Sequence, residues 1–208
     1  SKNTVEFQTL APYIEAHEQI VSLILRNRDT GSVLVIAPDE KDVDRIIQAL
    51  GENNLQALKL TAAMPREDRY RNYLDAMHSA NSIVVGTRSA IFAPISNLTT
   101  VIVHSESSSD HYEIRSPGWN TRTVALMRCK QESLKLVLTG FCPSIEVSDL
   151  IDKREVRYLN SKESLNVRAF TPNEGALLPG RIFSDIKKAL LVGPVLFIAP
   201  RKGYGNAL

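Results

Sequence analysis

The sequence predicts an α/β fold in which a parallel β-sheet is covered by helices on both faces, giving three layers. Short apolar, β-branched runs alternate along the chain with segments of helical periodicity. These runs are apolar at successive positions, which is typical of strands buried on both faces of a sheet. The composition, 43% hydrophobic and 23% charged residues in a chain of 208, is that of a folded globular protein.

The regular alternation begins at Ser32. "SVLVIAP" predicts a strand, and Asp39 is placed to cap the helix of "DEKDVDRIIQALG", which Gly51 ends. "LQALKL" predicts a second strand, and Pro65 suits the first turn of a helix in "PREDRYRNYLDAMHSA". One face of that helix collects its large apolar side chains: Tyr70, Tyr73, Leu74 and Met77.

The alternation continues through four further strands, "SIVVGT", "TTVIV", "LKLVLTG" and "EVRYL". Asn120 can cap a helix in "NTRTVALMRCKQE", and a short helix begins at Pro143 in "PSIEVSDLID". Ligands of parallel sheets bind beyond the carboxyl ends of the strands. The loops to inspect therefore follow these residues: Pro38, Gly86, Val103 and Gly140.

Three segments are predicted along the chain. Residues 1–159 form the α/β domain, and residues 160–180, which are polar and dotted with Pro and Gly, form a linker. Residues 181–208 contain one helix, "RIFSDIKKALLVG", and one strand, "PVLFIAP", which is predicted to be buried. These are interpreted as the first elements of a second α/β lobe.

Composition and charge exclude several classes of protein. The net charge is only +2, so any basic surface for nucleic acid would have to be local. No apolar run reaches the length of a membrane span, and the N-terminal residues lack a signal-peptide core. Cys129 and Cys142 show no metal-binding spacing and are interpreted as reduced thiols of a cytosolic protein.

The sequence lacks a phosphate-binding loop. Such a loop has the form GxxxxGK[ST] between a strand and a helix, so that its backbone N–H groups close around a phosphate. No such string occurs, and the segment "LAPYIEAHEQIVSLILRNRDTG" ahead of Ser32 has one glycine, at its end, and no lysine. We expect no phosphate-shaped cradle there and a helix over residues 15–26.

The strand "TTVIV" ends in a polar loop that lacks the pair of adjacent carboxylates needed for nucleotide hydrolysis. A nucleotide-driven motor needs a carboxylate for Mg²⁺ and a neighbouring Glu that orients water at such a position. Four other residues form a degenerate box there: His104, Ser105, Glu106 and Ser107. Two alternatives stay open, a metal site of His104, Glu106 and Asp110, and a hydrolase using His104, Ser105 or His111, although no GxSxG motif is present.

Two further features indicate contact with a nucleic-acid strand. In "GTRSA", Gly86 lets a backbone pass close, Thr87 and Ser89 can donate to phosphate oxygens, and Arg88 adds charge. The alternative is a turn with a solvated arginine. Arginines also crowd two helical regions: Arg66, Arg69 and Arg71, then Arg115, Arg122 and Arg128. The alternative there is a solvated helix face with Tyr70 and Tyr73 in the core.

Together these segments resemble the first helicase lobe of PriA, the primosomal replication-restart protein family. The resemblance lies in "RYRNYL", "IVVGTRSAIFAPISNLTTVIV" and "EIRSPGWNTRTVALMR", runs from about Ser32 to Leu159, and resumes at "VLFIAPRKGYGNAL". It implies a RecA-like helicase lobe in residues 1–159 and the start of the second lobe in residues 181–208. PriA proteins are 3′-to-5′ DNA helicases that use ATP and Mg²⁺, and their zinc-binding cysteines fall outside this chain.

The chain departs from that family at three ATPase elements. "YIEAHEQI" replaces the phosphate loop, residues 104–107 replace an Asp-Glu-x-His box, and "GFC" stands where Ser-Ala-Thr belongs. The pattern resembles the degenerate PriA-like proteins of actinobacteria, which implies no catalytic residue and no bound cofactor or metal in this chain. The intact "GTRSA" implies that Gly86, Thr87, Arg88 and Ser89 touch DNA, with Arg122 as a weaker candidate.

The expected function is therefore that of a PriA-like replication-restart protein which binds forked or single-stranded DNA without helicase activity of its own. The resemblance implies a cytoplasmic, nucleoid-associated bacterial protein, with other primosome proteins as further partners and no membrane contact. Two alternatives remain: an active ATP-dependent 3′-to-5′ helicase with unorthodox motifs, and a protein-interaction scaffold of the primosome.

Overall fold

A computed structural model describes residues 4–161, 167, 180 and 182–198. The chain divides into two compact units, Ser1–Ser164 and Leu165–Leu208. Every candidate site residue named above lies in the first of these units.

The first unit is built on a parallel sheet, as predicted, and this sheet has seven strands where the sequence predicts six. In chain order the strands are β1 (Val5–Thr9), β2 (Ser32–Ile36), β3 (Leu58–Leu60), β4 (Ile83–Gly86), β5 (Leu98–Val103), β6 (Tyr112–Glu113), β7 (Trp119–Asn120), β8 (Lys135–Gly140) and β9 (Arg157–Leu159). The sheet has the order β3-β4-β2-β5-β8-β1-β9, and β6 and β7 form a separate antiparallel pair.

Helices cover both faces of this sheet and make the three-layer α/β/α arrangement. They are α1 (Ala16–Asn27), α2 (Glu40–Glu52), α3 (Arg66–His78), α4 (Thr121–Glu132) and α5 (Ile145–Asp152). Val33 and Val35 of β2 pack in one core with α1 and α2, whereas Leu34 and Ile36 pack in the other with α4 and α5. Successive strand residues point to opposite faces, so a strand buried on both sides is apolar throughout.

Several helix boundaries follow the capping residues seen in the sequence. The Asp39 carboxylate accepts a hydrogen bond from the Asp42 N–H at 2.9 Å, and the Asn120 side chain accepts one from the Arg122 N–H at 2.8 Å. Helix α1 begins one residue after Glu15 and confirms the helix expected there. Helix α5 is capped by Ser144 rather than starting at Pro143.

One strand was not predicted. In β1, "VEFQT", only Phe7 is buried, and the polar Glu6 and Gln8 hide the strand from a search for apolar runs. The strand lies between β8 and β9, with Phe7 paired to Leu138 in the parallel register. Its position brings residues 10–15 to the carboxyl edge of the sheet.

Three expectations need correction. Only Leu58–Leu60 of "LQALKL" is a strand. Helix α3 buries Ala76 alone, so its tyrosines and Met77 are not part of the core. Residues 194–198 of the second unit, expected to form part of a buried strand, are not in a strand.

The second unit contributes one described helix, α6 (Ile182–Leu190). Leu196 and Ile198, expected in a core, are exposed. Within the described residues no helix is long and apolar enough to cross a membrane.

Candidate functional site

The parallel strands bring the candidate residues to one edge of the sheet. The loops after β1, β4, β5 and β8 all start at carboxyl ends, which in such a sheet point the same way. Gly86 ends β4, and residues 87–89 and 104–107 follow β4 and β5. Arg122 lies in the first turn of α4 and reaches the loop after β5.

The loop after β1, where a phosphate cradle would lie, is closed by Gln19. The Gln19 Oε1 accepts a hydrogen bond from the Ala11 N–H at 2.8 Å, and its Nε2 donates to the carbonyls of Ala11 and Ile14 at 3.0 and 2.8 Å. The Leu10 N–H donates to the Gly140 carbonyl, and Pro12 has no N–H to offer. A cradle needs successive free N–H groups that point at an anion. Here the N–H groups of Leu10 and Ala11 are used within the protein, and Pro12 has none.

The first residue of the degenerate box, His104, is buried. Its Nδ1 lies 3.2 Å from the Thr139 Oγ1, and its carbonyl oxygen lies 2.8 Å from the Nε2 of His111, which therefore donates. Burial lowers the pKa of both imidazoles, so both rings are held neutral. The Nδ1 of His111 is buried without a hydrogen-bond partner among the described residues.

Glu106 is the buried centre of a cluster that we call the Glu106 clasp, made of Glu106, Arg122, Ser144 and Glu146. The Glu106 side chain is 0% exposed, and its Oε2 lies 2.8 Å from the Arg122 Nη1. Ser144 donates to the same carboxylate from its N–H at 2.6 Å and from its hydroxyl at 2.9 Å. Arg122 also reaches the Glu146 Oε1 at 3.0 Å.

The two functional groups that the sequence predicts at this site, the Glu106 carboxylate and the Arg122 guanidinium, bind each other within the clasp. The carboxylate of Glu106 accepts three hydrogen bonds from Arg122 and Ser144, and it is too deeply buried to orient a water at the surface of the site. The side chain of Arg122 is only 10% exposed and is held by two carboxylates. Contact of Arg122 with DNA therefore stays a prediction of the sequence alone, and the geometry gives this residue a structural role.

The two alternative chemistries find little support in the geometry. Ser105 Oγ lies 3.4 Å from His104 Nε2, and the other ring nitrogen contacts a threonine rather than the carboxylate of a catalytic triad. In the part of the chain that the structure describes, no three His, Cys, Asp or Glu side chains are placed to hold a metal ion.

Gly86 in "GTRSA" is required by a close approach. A Cβ at this position would lie 2.3 Å from the Leu60 carbonyl oxygen and 2.6 Å from the Ala90 Cβ. The residue is buried, so its absent side chain lets the 3₁₀ turn Arg88–Phe92 lie against the end of β3. Within the motif, Ser89 is exposed and Thr87 and Arg88 are half-buried.

Arg88 is not a freely solvated turn residue. Its Nη2 and Nε lie 2.9 and 3.2 Å from the Glu113 Oε2, and its Nη1 donates to the Asp110 carbonyl at 3.2 Å. A hydrogen bond from the Arg115 N–H, together with Arg88, lowers the pKa of Glu113. These contacts join the motif to the segment that follows β5.

An open groove lies between α3 and the turn Arg88–Phe92, and we call it the α3 groove. Its volume is about 780 Å³. Its lining includes Thr61, Arg66, Arg69, Tyr70, Tyr73, Ser89 and Phe92. Tyr70 is 64% exposed and Tyr73 is 39% exposed, so the interpretation that placed these tyrosines in the core is wrong. Sequence reasoning missed Thr61 and Phe92 as members of this surface.

The arginines of the two basic segments have different surroundings. Arg71 pairs with Glu67 and Asp68, and Arg128 pairs with Glu132 and donates to the Ile91 carbonyl at 2.6 Å. Arg66 and Arg69, which line the groove, make no ion pair with any residue that the structure describes.

Comparison with known proteins identifies relatives of one kind. The probable replication restart protein PriA of Mycobacterium tuberculosis is 31% identical over 195 residues, which cover 83% of this chain and 29% of that protein. The replication restart protein PriA of Treponema pallidum is 28% identical over 185 residues, covering 83% of this chain and 28% of that protein. The chain thus spans less than a third of the length of these relatives, and no protein-family model matches it.

Solved structures agree with the fold. The C-terminal domain of Dbp5 from S. cerevisiae, in a complex with Gle1 and IP6, matches with a TM-score of 0.56 at 12% identity, covering 77% of this chain and 92% of that one. A second structure of the C-terminal domain of the DEAD-box protein Dbp5 matches with a TM-score of 0.52 at 12% identity, covering 76% of this chain and 90% of that one. The first unit therefore has the α/β fold of a RecA-like helicase lobe.

Proposed function

From the homology of this chain to one segment of the replication restart protein PriA, we propose that it forms a lobe that binds forked or single-stranded DNA without hydrolysing ATP. Such a protein would act at the bacterial nucleoid with other primosome proteins as partners. Residues 160–180 would link this lobe to the start of a second one in residues 181–208.

The Glu106 clasp is the observation that carries this proposal. Catalysis of phosphoryl transfer depends on positioned groups that hold the metal, orient water and stabilise charge. The single carboxylate at the box position is enclosed by Arg122 and Ser144, and His104 beside it is buried and neutral. The loop after β1 supports the same conclusion, because the Gln19 side chain binds the Ala11 N–H and the carbonyls of Ala11 and Ile14.

The DNA-binding part of the proposal rests on the loop after β4, which presents an exposed hydroxyl at Ser89 beside the Arg88 guanidinium that is paired with Glu113. Ser89 is exposed at the carboxyl edge, and Thr87 and Arg88 lie beside it on a turn fixed by Gly86. Hydroxyl and guanidinium groups at such a place bind phosphate oxygens without reading sequence. Arg66 and Arg69 add positive charge next to Ser89 across the α3 groove.

Two measurements on the chain test the two parts. Isothermal titration calorimetry with Mg-ATP at millimolar concentration should give no saturable heat. Saturable nucleotide binding by the unmodified chain would favour the active-helicase alternative.

Fluorescence anisotropy with a labelled single strand should show binding that weakens as salt rises. Arg88→Gln should weaken it further and reduce the salt dependence by about one phosphate contact. Arg71→Gln is the matched control, because it removes the same charge from a paired arginine that does not line the α3 groove. DNA affinity without salt dependence, or none at all, would favour the scaffold alternative.

A further inference from the structure

We infer that the α3 groove is a stacking site for a nucleobase of a single-stranded nucleic acid. The inference rests on the DNA-binding function proposed above and adds a base contact to the backbone contacts proposed there. It concerns side chains of α3 and of the following 3₁₀ turn that no motif of the ATPase accounts for.

The aromatic rings of the groove are exposed where a folded domain would normally bury them. Tyr70 is 64% exposed and Phe92 is 59% exposed, and both line the same cavity. Aromatic side chains are the usual platforms for unpaired bases, because every base offers a flat π-face whatever its identity. An aromatic groove at the carboxyl edge of the sheet therefore suits a strand that is bound without regard to sequence.

The charges around the groove favour a ligand with phosphates. Arg66 and Arg69 line it and make no ion pair with any described residue, whereas Arg71 on the same helix is paired. The one carboxylate in the lining, Glu67, is itself paired with Arg71. Exposed rings beside uncommitted cations match a ligand that combines flat rings with negative charge, which is the chemistry of a nucleotide strand.

Thr61 provides a second, independent observation. It lines the groove, is 1% exposed, and its hydroxyl oxygen has no hydrogen-bond partner among the described residues. A buried polar group without a partner is costly, and such groups in folded proteins need an explanation. A polar group of a ligand seated in the groove can supply the missing partner.

The groove is also held in place by contacts outside it. The Arg128 Nη1 donates to the Ile91 carbonyl at 2.6 Å, and the ring of Trp119 meets Phe92 edge-on, with centroids 4.9 Å apart. Gly86 allows the turn to approach β3. A site fixed in this way loses little conformational entropy when a ligand binds.

The test compares two single strands about 16 nucleotides long, the upper end of known site sizes. One is oligothymidylate and the other has the same phosphates with abasic sugars at all internal positions. Anisotropy titrations measure the affinity of the full chain for each. We expect the thymidylate strand to bind about fivefold or more tightly, the effect of at least one stacked base.

Two variants locate the contact. Tyr70→Leu keeps an apolar side chain at an exposed position and should abolish most of the preference for bases. Tyr13→Leu is the matched control, since Tyr13 is 67% exposed. Tyr13 lies in the loop after β1, and β1 is five strand positions, or about 24 Å, from β3 in the sheet.

The outcomes separate the inference from the function on which it rests. Equal affinity of the unmodified chain for both strands overturns the stacking site and leaves salt-dependent DNA binding intact. A preference for bases that survives both Tyr70→Leu and Tyr73→Leu also overturns it. Failure to bind either strand at low salt overturns the proposed DNA-binding function together with the inference.

Discussion

Removal of the Arg122 guanidinium should destabilise the fold strongly. In Arg122→Met the Glu106 carboxylate stays fully buried and loses its one ion-pair partner among the described residues, but it keeps two hydrogen bonds from Ser144. Breaking a buried ion pair from one side costs about 3–5 kcal/mol, and the retained donors place this case near 3 kcal/mol. That loss is a large fraction of the roughly 5–15 kcal/mol that holds a domain folded.

The assay is urea denaturation followed by circular dichroism, with Glu106→Gln and the double variant completing a cycle. The double variant should be less destabilised than the sum of the two single variants, by about 2 kcal/mol, because it leaves no buried charge unpaired. Arg71→Met is the control. Its partners are exposed on the surface of α3, so the free energy of unfolding should change little.

Two results would refute this reasoning. One is a cost for Arg122→Met below about 1 kcal/mol, which is the range of surface ion pairs. The other is strict additivity of the two substitutions, which would mean that Glu106 and Arg122 do not stabilise each other in solution.

Three further predictions test other parts of the structure. Gly86→Ala should lower the free energy of unfolding by about 1–3 kcal/mol, because the added Cβ would meet the Leu60 carbonyl and Ala90. Gly51 lies on α2 with open space around it, so Gly51→Ala should instead raise the free energy of unfolding by about 0.5–1 kcal/mol. The same urea titration measures both variants. The pKa values of His104 and His111 are lowered by burial, so the unfolded chain takes up protons first, and stability should fall as the pH drops below about 6.5. His111→Gln should reduce the loss of stability between about pH 8 and about pH 5, measured by urea denaturation at both pH values. An equal loss in the variant and the unmodified chain would contradict the role given to His111. Saturation with oligothymidylate should change the emission of Trp119, the single tryptophan, since its ring contacts Phe92 in the α3 groove; an unaltered spectrum would place the DNA elsewhere.

Most of the sheet was predictable because a strand buried on both faces is a continuous run of apolar residues, which is visible in the sequence. β2 and β5 are apolar at nearly every position, so their sequences alone separate them from surface strands. β1 has no such signal, since Glu6 and Gln8 interrupt it. It forms a strand because β8 and β9, which come more than 120 residues later in the chain, hydrogen bond to it on both sides.

The site was predictable only where its elements are contiguous. The missing phosphate loop and the altered box are strings of adjacent residues and can be read directly. The Glu106 clasp joins residues 16 and 22 positions apart on different elements, which meet because β5 and β8 are neighbours in the sheet. No local pattern reports such a contact.

The exposure of the tyrosines on α3 also depends on the tertiary fold. Helical periodicity groups Tyr70, Tyr73 and Met77 on one face but does not say what covers that face. The strand next to this helix, β3, is a three-residue edge strand and leaves most of the face open. The same open face makes the α3 groove.

A lobe that binds DNA and has lost the site that ATP would occupy, as proposed above, should bind DNA equally well with and without nucleotide. The most direct test is the affinity of the chain for a labelled forked DNA, measured by anisotropy in low salt with and without millimolar Mg-ATP. We expect salt-dependent binding that Mg-ATP leaves unchanged beyond its ionic contribution. An affinity for DNA that Mg-ATP alters in the unmodified chain, and that Glu106→Gln makes insensitive to nucleotide, would show that the nucleotide site is retained.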